Sequence, residues 1–158
     1  MDSPPPYTKK ETERRWLVPD GTDLKAGFSR LRKIEDSYIT GTRLRLRRVT
    51  EEGAEPIYKL GKKYESSHAG SHSVVTTYLT ASEYQVLAQL PAARAQKTRL
   101  SVLGGALDIY EQPNSGLQVF EVEFPSLEAA AEYQSPKGLG QEVTHDPRFT
   151  GHALAGAA

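Results

Sequence analysis

Three charged residues near the start of the chain are spaced so that a β-strand would place them on one face. In ETERRWLV, residues 11–18, Glu11, Glu13 and Arg15 are two positions apart, and an extended chain points all three side chains the same way. Carboxylate oxygens are the ligands that hard divalent cations prefer, and a guanidinium can bind two phosphate oxygens at once. This segment therefore carries groups suited to holding a metal ion, an anion or both.

The same alternation recurs along the chain, and each later segment carries charges mainly of one sign. The basic members are Arg43, Arg45 and Arg47, then Lys59, then Lys97 and Arg99, and the acidic members are Asp108, Glu121 and Glu123. Like charges on one face of a strand repel each other, so something has to compensate them.

Two arrangements can explain these alternating charges. For any single strand the better explanation is an ordinary antiparallel sheet, with its apolar face on the core and its charged face in water. For the whole set, a closed barrel with the charged faces inward is favoured, because a bound polyanion and divalent cations would compensate the like-charge pairs. Helices would then cover parts of the apolar outside.

The elements that position these residues are predicted to be mostly strands. Alternating and β-branched runs predict them over 11–18, 37–63, 73–79 and 97–124, with turns inside the longer ranges. Helices are predicted over 20–35, 80–90 and 126–134, and the first of them has an apolar stripe of Leu24, Phe28 and Leu31. This mixture predicts an α+β protein built on a mostly antiparallel sheet.

Composition limits the classes of protein that need to be considered. The 158 residues suffice for one domain with a core, and 37% hydrophobic and 25% charged residues are typical of a globular chain. The net charge of zero predicts no nucleic acid or membrane partner, and the lack of cysteine excludes disulfides and thiolate chemistry. We expect a cytoplasmic monomer or homodimer, with flexible tails at residues 1–8 and 152–158.

Taken together, the charged segments resemble the CYTH family, also called the triphosphate tunnel metalloenzymes. ETERRWLV is similar to the ExExK signature that opens the family, and the similarity continues in order through DSYITGTRLRLRR, YKLGKK, KTR, LDIYEQPNSGLQVFEVEF and LGQEVTHDPRFT. The resemblance implies one domain over residues 9–151. Its fold would be an eight-stranded antiparallel β-barrel that forms a tunnel, with helices outside and a triphosphate group and Mg²⁺ or Mn²⁺ in the lumen.

The resemblance also implies a role for each charged position. The catalytic residues would be Glu11, Glu13 and Arg15. The phosphate would be bound by Arg45, Arg47, Lys59, Lys97 and Arg99. The metal ligands would be Glu11, Glu13, Asp108, Glu121 and Glu123. The chain departs from the family at Arg15, where lysine is usual and a guanidinium cannot donate a proton, and at Thr76–Tyr78, where many relatives carry acids. Glu142 is expected either to contact metal or to make a structural bond.

The implied activity is metal-dependent hydrolysis of inorganic triphosphate or short polyphosphate. A binding module for the same anions with little turnover remains an alternative, because of the two departures. An enzyme for organic triphosphates, of the thiamine triphosphatase or adenylate cyclase type, is the other alternative, because the tunnel lining alone does not separate these substrates.

Overall fold

Eight strands form a closed antiparallel barrel in the residues that the computed structural model describes, which are 3–66, 68 and 70–157. Their order around the barrel is β1-β5-β4-β3-β2-β6-β7-β8. The strands are β1 (Lys9–Leu17), β2 (Arg30–Ile39), β3 (Leu44–Thr50), β4 (Ile57–Lys63), β5 (Ser71–Leu79), β6 (Ala92–Val102), β7 (Gly105–Gln112) and β8 (Gln118–Phe124). The predicted fold class is confirmed.

Short helices pack on the barrel. They are α1 (Ala81–Leu87), α2 (Leu127–Glu132) and α3 (Gly151–Leu154), and a single 3₁₀ turn at Pro147–Phe149 precedes α3. Thr80 and Glu83 form a capping box at the start of α1. None of the helices among the described residues has the length and apolar character that crossing a bilayer requires.

The pairing of β1 with β8 shows why charged and apolar residues alternate. Glu13 lies opposite Glu123 and Arg15 opposite Glu121, whereas Trp16 lies opposite Phe120 on the other side of the wall. Trp16 and Phe120 belong to a buried cluster on the outside of the barrel, against which Tyr133, just after α2, packs. The main apolar core therefore lies between the barrel wall and its outer cover, and the charged faces line the lumen.

The predicted helix over residues 20–35 is wrong. Gly27 has a positive φ of 77°, and residues 30–35 belong to β2, which pairs with β3 on one side and β6 on the other. Only Leu24 of the supposed apolar stripe is buried, because Phe28 and Leu31 are 45% and 43% exposed. Two hydrogen-bonded ladders outweigh a weak helical pattern here, since β2 is needed to close the barrel.

The C-terminal segment packs across one end of the barrel. The side chain of Leu154 is buried against Tyr110 and Val119, and the rings of Tyr38 and His152 meet edge to face at 5.4 Å. The Arg15 guanidinium donates a short hydrogen bond to the carbonyl of Phe149. We call residues 147–155 the closing segment. A flexible tail was predicted from residue 152 onward, whereas residues 152–154 belong to α3 and Leu154 packs on the barrel. Residues 1, 2 and 158 of the predicted tails lie outside the described residues.

Candidate active site

An acidic wall is formed where β1 and β8 run side by side. Glu11 and Glu13 come from β1, and Glu121 and Glu123 from β8, all on the lumenal face. Within the described part of the chain, neither Glu11 nor Glu123 makes a salt bridge, and Glu13 has only loose contacts of 3.9 Å to Arg15 and Lys63. Partial burial together with Glu11 and Glu121 raises the pKa of Glu123. A divalent cation would relieve this repulsion.

Asp108 stands in an ion-pair network between the acidic and basic walls. Its two oxygens accept hydrogen bonds from the Arg99 guanidinium at 2.7 and 2.8 Å, and Lys97 Nζ lies 2.8 Å from one of them. Arg99 also donates to Glu121 at 2.7 Å. Burial opposes ionisation of Asp108, but Lys97 and Arg99 hold its pKa well below the usual range. Asp108, predicted as a metal ligand, is here the counter-ion of two cations.

A second buried pair joins β2 to β3. Arg47 donates to both oxygens of Asp36 at 2.6 and 2.8 Å, and the two side chains are only 11% and 5% exposed. Burial disfavours the Asp36 carboxylate, yet Arg47 and then Arg45 lower its pKa far below the ordinary value. The positive charge of Arg47 is thus already balanced within the protein.

Two of the predicted phosphate-binding residues have little compensating charge. Lys59 forms no salt bridge within the described residues, and its Nζ lies 5.5 Å from the centre of the Tyr78 ring. The pKa of Lys59 is lowered by burial and by the neighbouring charges of Arg47, Arg45, Arg32 and Arg99. Arg45 approaches Asp36 only to 4.0 Å, and its buried Nε has no hydrogen-bond partner in the structure. These two side chains are the ones best prepared to receive an anion.

The two departures from the family pattern lie at different places. The Arg15 guanidinium holds the closing segment through Phe149, so it connects two parts of the structure. Tyr78 is 69% exposed on β5, opposite Lys59, and Thr76 lies opposite Gly61. Arg43 precedes β3 and pairs with Glu65 near the surface, 2.8 Å away.

Glu142 makes a structural bond on the outside of the barrel. Both of its oxygens accept hydrogen bonds from the Arg14 guanidinium, at 2.7 and 3.0 Å, and Thr144 donates to one of them at 2.7 Å. The same guanidinium binds the carbonyls of Ala130 and Tyr133 at the end of α2. The structural interpretation of Glu142 is therefore favoured over metal contact.

Sequence reasoning missed the lumenal residues of β2. From one end of β2 inwards, the lumenal face carries Arg30, Arg32, Ile34, Asp36 and Tyr38. The signal was present, because Arg30-Leu31-Arg32 shows the same alternation as the arginines of β3. The helical interpretation of residues 20–35 hid it. We call the end of the barrel at Arg30 and Arg32 the mouth.

The acidic wall carries oxygen donors of the kind that a divalent cation prefers. Among the described residues, no three His, Asp or Glu side chains form a ready-made metal site. Mg²⁺ commonly takes one or two carboxylates and completes its shell with water and substrate phosphate oxygens. Glu11 and Glu123, which form no salt bridge among the described residues, suit that mode, and Glu13 lies directly opposite Glu123.

Comparison with solved structures confirms the resemblance to the triphosphate tunnel proteins. One structure, described as the inorganic triphosphatase NE1496, is 25% identical to this chain, with a TM-score of 0.61 over 94% of this chain and 95% of the other. A second, described as the hypothetical protein NE1496, is 26% identical, with a TM-score of 0.60 over 92% and 97%. No protein-family model matches the chain, and no curated protein matches it.

Proposed function

We propose that this protein hydrolyses inorganic triphosphate, or short polyphosphate, in the barrel lumen with the help of Mg²⁺ or Mn²⁺. The observation that carries the proposal is the separation of charge between the lumenal faces of different strands. In the part of the chain that the structure describes, the carboxylates Glu11 and Glu123 on one wall form no salt bridge. On the opposite wall Lys59 forms none either, and Arg45 has only a 4.0 Å contact with Asp36. The likeness to an inorganic triphosphatase at 25% identity supports the same class of substrate.

The cations would bind and orient the phosphate chain. Among the described residues Lys59 forms no salt bridge and Arg45 only a loose one with Asp36, so both can pair with an anion. Charge-assisted hydrogen bonds to phosphate oxygens are short and strong. Arg47 and Arg99 are held rigid by Asp36 and Asp108, so they can present their remaining N–H groups in fixed directions. The phosphate chain would thereby be held in one orientation.

The carboxylates of the acidic wall would hold the metal. Glu11, Glu13, Glu121 and Glu123 supply the oxygen donors. A bound cation would neutralise phosphate charge and help to place a water in line with the terminal phosphorus. Arg15 would contribute positive charge, but a guanidinium cannot serve as a proton donor in the reaction.

The direct test is a phosphate-release screen with and without Mg²⁺ or Mn²⁺. Its substrates are inorganic triphosphate, polyphosphate, thiamine triphosphate and nucleoside triphosphates. We expect triphosphate and water to give pyrophosphate and phosphate, and a chelator to abolish the reaction. Tight triphosphate binding by calorimetry without phosphate release, across both metals and a range of pH, would instead indicate a binding module. Faster turnover of an organic triphosphate would overturn the choice of substrate.

A further inference from the structure

Arg32 differs from the other arginines near the mouth in how its charge is balanced. Arg30, two residues away on the same strand, binds both oxygens of Glu51 at 2.6 and 3.1 Å. Arg47 and Arg99 bind Asp36 and Asp108 in the same two-point manner. Arg32 makes no ion pair within the described residues; its hydrogen bond goes to the neutral hydroxyl of Ser101, at 3.2 Å.

The surroundings of Arg32 disfavour its charge. In the pairing of β2 with β6 it lies directly opposite Arg99, and like charges in that position repel each other. Its Nε is buried and has no hydrogen-bond partner in the described structure. Burial, followed by Arg30 and Arg99, lowers the pKa of Arg32. A partly buried guanidinium with an unpaired N–H group and no carboxylate partner is costly, and a bound anion would offset that cost.

A cavity of about 100 Å³ adjoins this side chain. Five cations line it: Arg30, Arg47 and Arg99 each bind a carboxylate, whereas Arg32 and Lys59 form no salt bridge among the described residues. Two carboxylates also line the cavity, Glu51, which Arg30 binds, and Glu55, so the cations outnumber the acids. The space holds several water molecules and is therefore large enough for a phosphoryl group. An anion placed there would satisfy both Arg32 and Lys59.

The strand registers order the incompletely balanced cations from the mouth inwards. Arg32 comes first along β2. Lys59 comes next, because it lies opposite Arg47, which in turn lies opposite Asp36 of β2. Arg45 comes last, opposite Tyr38. We infer that Arg32 is a substrate-binding residue, which holds the phosphoryl group nearest the mouth while Lys59 and Arg45 hold the groups further in. This inference rests on the proposed function, and it adds a fourth strand to the predicted phosphate site.

The test compares two neighbouring residues of β2 that face opposite sides of the wall. Arg32→Gln removes the lumenal charge, and Lys33→Gln removes a charge from the outer face, where Lys33 pairs with Glu111. Binding of inorganic triphosphate is measured by calorimetry in chelator, so that turnover does not interfere. We expect Arg32→Gln to raise the dissociation constant about ten- to a hundredfold, because one or two charge-assisted hydrogen bonds to the phosphate would be lost. Lys33→Gln should change it less than threefold, and Arg32→Lys should recover part of the affinity.

Melting of the ligand-free proteins separates binding from a structural role. Because Arg32 faces Arg99, Arg32→Gln should leave the melting temperature unchanged or raise it. A clear fall, with an unchanged dissociation constant, would make Arg32 structural and overturn the inference. If the unmodified protein binds triphosphate and both Gln variants bind it equally well, the inference about Arg32 is wrong while the proposed function stands. If the unmodified protein neither binds nor hydrolyses triphosphate, the proposed function fails with it.

Discussion

The buried pair of Asp36 and Arg47 allows a sharp prediction about stability, because the chain contains a matched pair on the outer surface. Asp36 and Glu35 are neighbours on β2, and each pairs with one of two neighbouring arginines on β3, Arg47 and Arg48. The inner pair is 5% and 11% exposed, and the outer pair is 32% and 39% exposed. The chemistry is alike, and burial is the main difference.

Asp36→Asn should be strongly destabilising, and Glu35→Gln should not. Removing one partner of a buried ion pair leaves an uncompensated charge and costs about 3–5 kcal/mol. At roughly 2–4 °C of melting temperature per kcal/mol for a chain of this size, the expected fall is about 6–20 °C. Exposed pairs contribute about 0–1 kcal/mol, so Glu35→Gln should lower the melting temperature by at most about 4 °C.

The effect should also depend on pH in a defined direction. The pKa of Asp36 is depressed in the folded protein, so its contribution is fully present above the unfolded pKa, near 3.9, and is lost as pH falls towards the folded value. Thermal melts of both variants from pH 7 to pH 3 measure this. The gap between the unmodified protein and Asp36→Asn should narrow below about pH 4. Equal losses for the two variants at pH 7 would refute the assignment of a buried, stabilising pair.

Other predictions concern the proposed activity. Glu121→Gln should lower metal-dependent turnover by orders of magnitude, because a lumenal carboxylate becomes a neutral amide. Arg45→Ala should mainly weaken triphosphate binding. Near-normal steady-state kinetics for both variants across a metal titration would show that neither residue belongs to the site. Triphosphate at a hundredfold its dissociation constant should stabilise the fold by about 2.7 kcal/mol, or roughly 5–11 °C in melting temperature. Chloride at equal ionic strength should do much less, and an equal shift would indicate general screening of charge.

Alternation of charged and apolar residues was sufficient to predict the lumenal faces of several strands. Glu11 and Glu13, Arg45 and Arg47, and Glu121 all face the lumen, because side-chain direction in a strand depends only on parity. Which charges would be free to bind a ligand could not be predicted in this way. That depends on which side chains meet between neighbouring strands, as when Asp108 pairs with both Lys97 and Arg99, and Arg99 also pairs with Glu121.

Two other features depend on distant parts of the chain. The stripe of Leu24, Phe28 and Leu31 fits a helix locally, and only the need for a strand between β3 and β6 decides against it. The contact of Arg15 with Phe149 joins residues 134 positions apart, and nothing near either residue indicates it. Short-range patterns therefore predicted the barrel wall, while its counter-ions and its closed end required the three-dimensional structure.

The closing segment has a consequence for how the proposed reaction would proceed. Leu154 and the ring of His152 fill the end of the barrel opposite the mouth, and Arg15 ties the segment in place. With the closing segment packed over that end, triphosphate, displaced water and both products would all pass through the mouth. Pyrophosphate in the lumen would occupy the path and the binding residues of the next substrate molecule, so we expect it to inhibit turnover competitively.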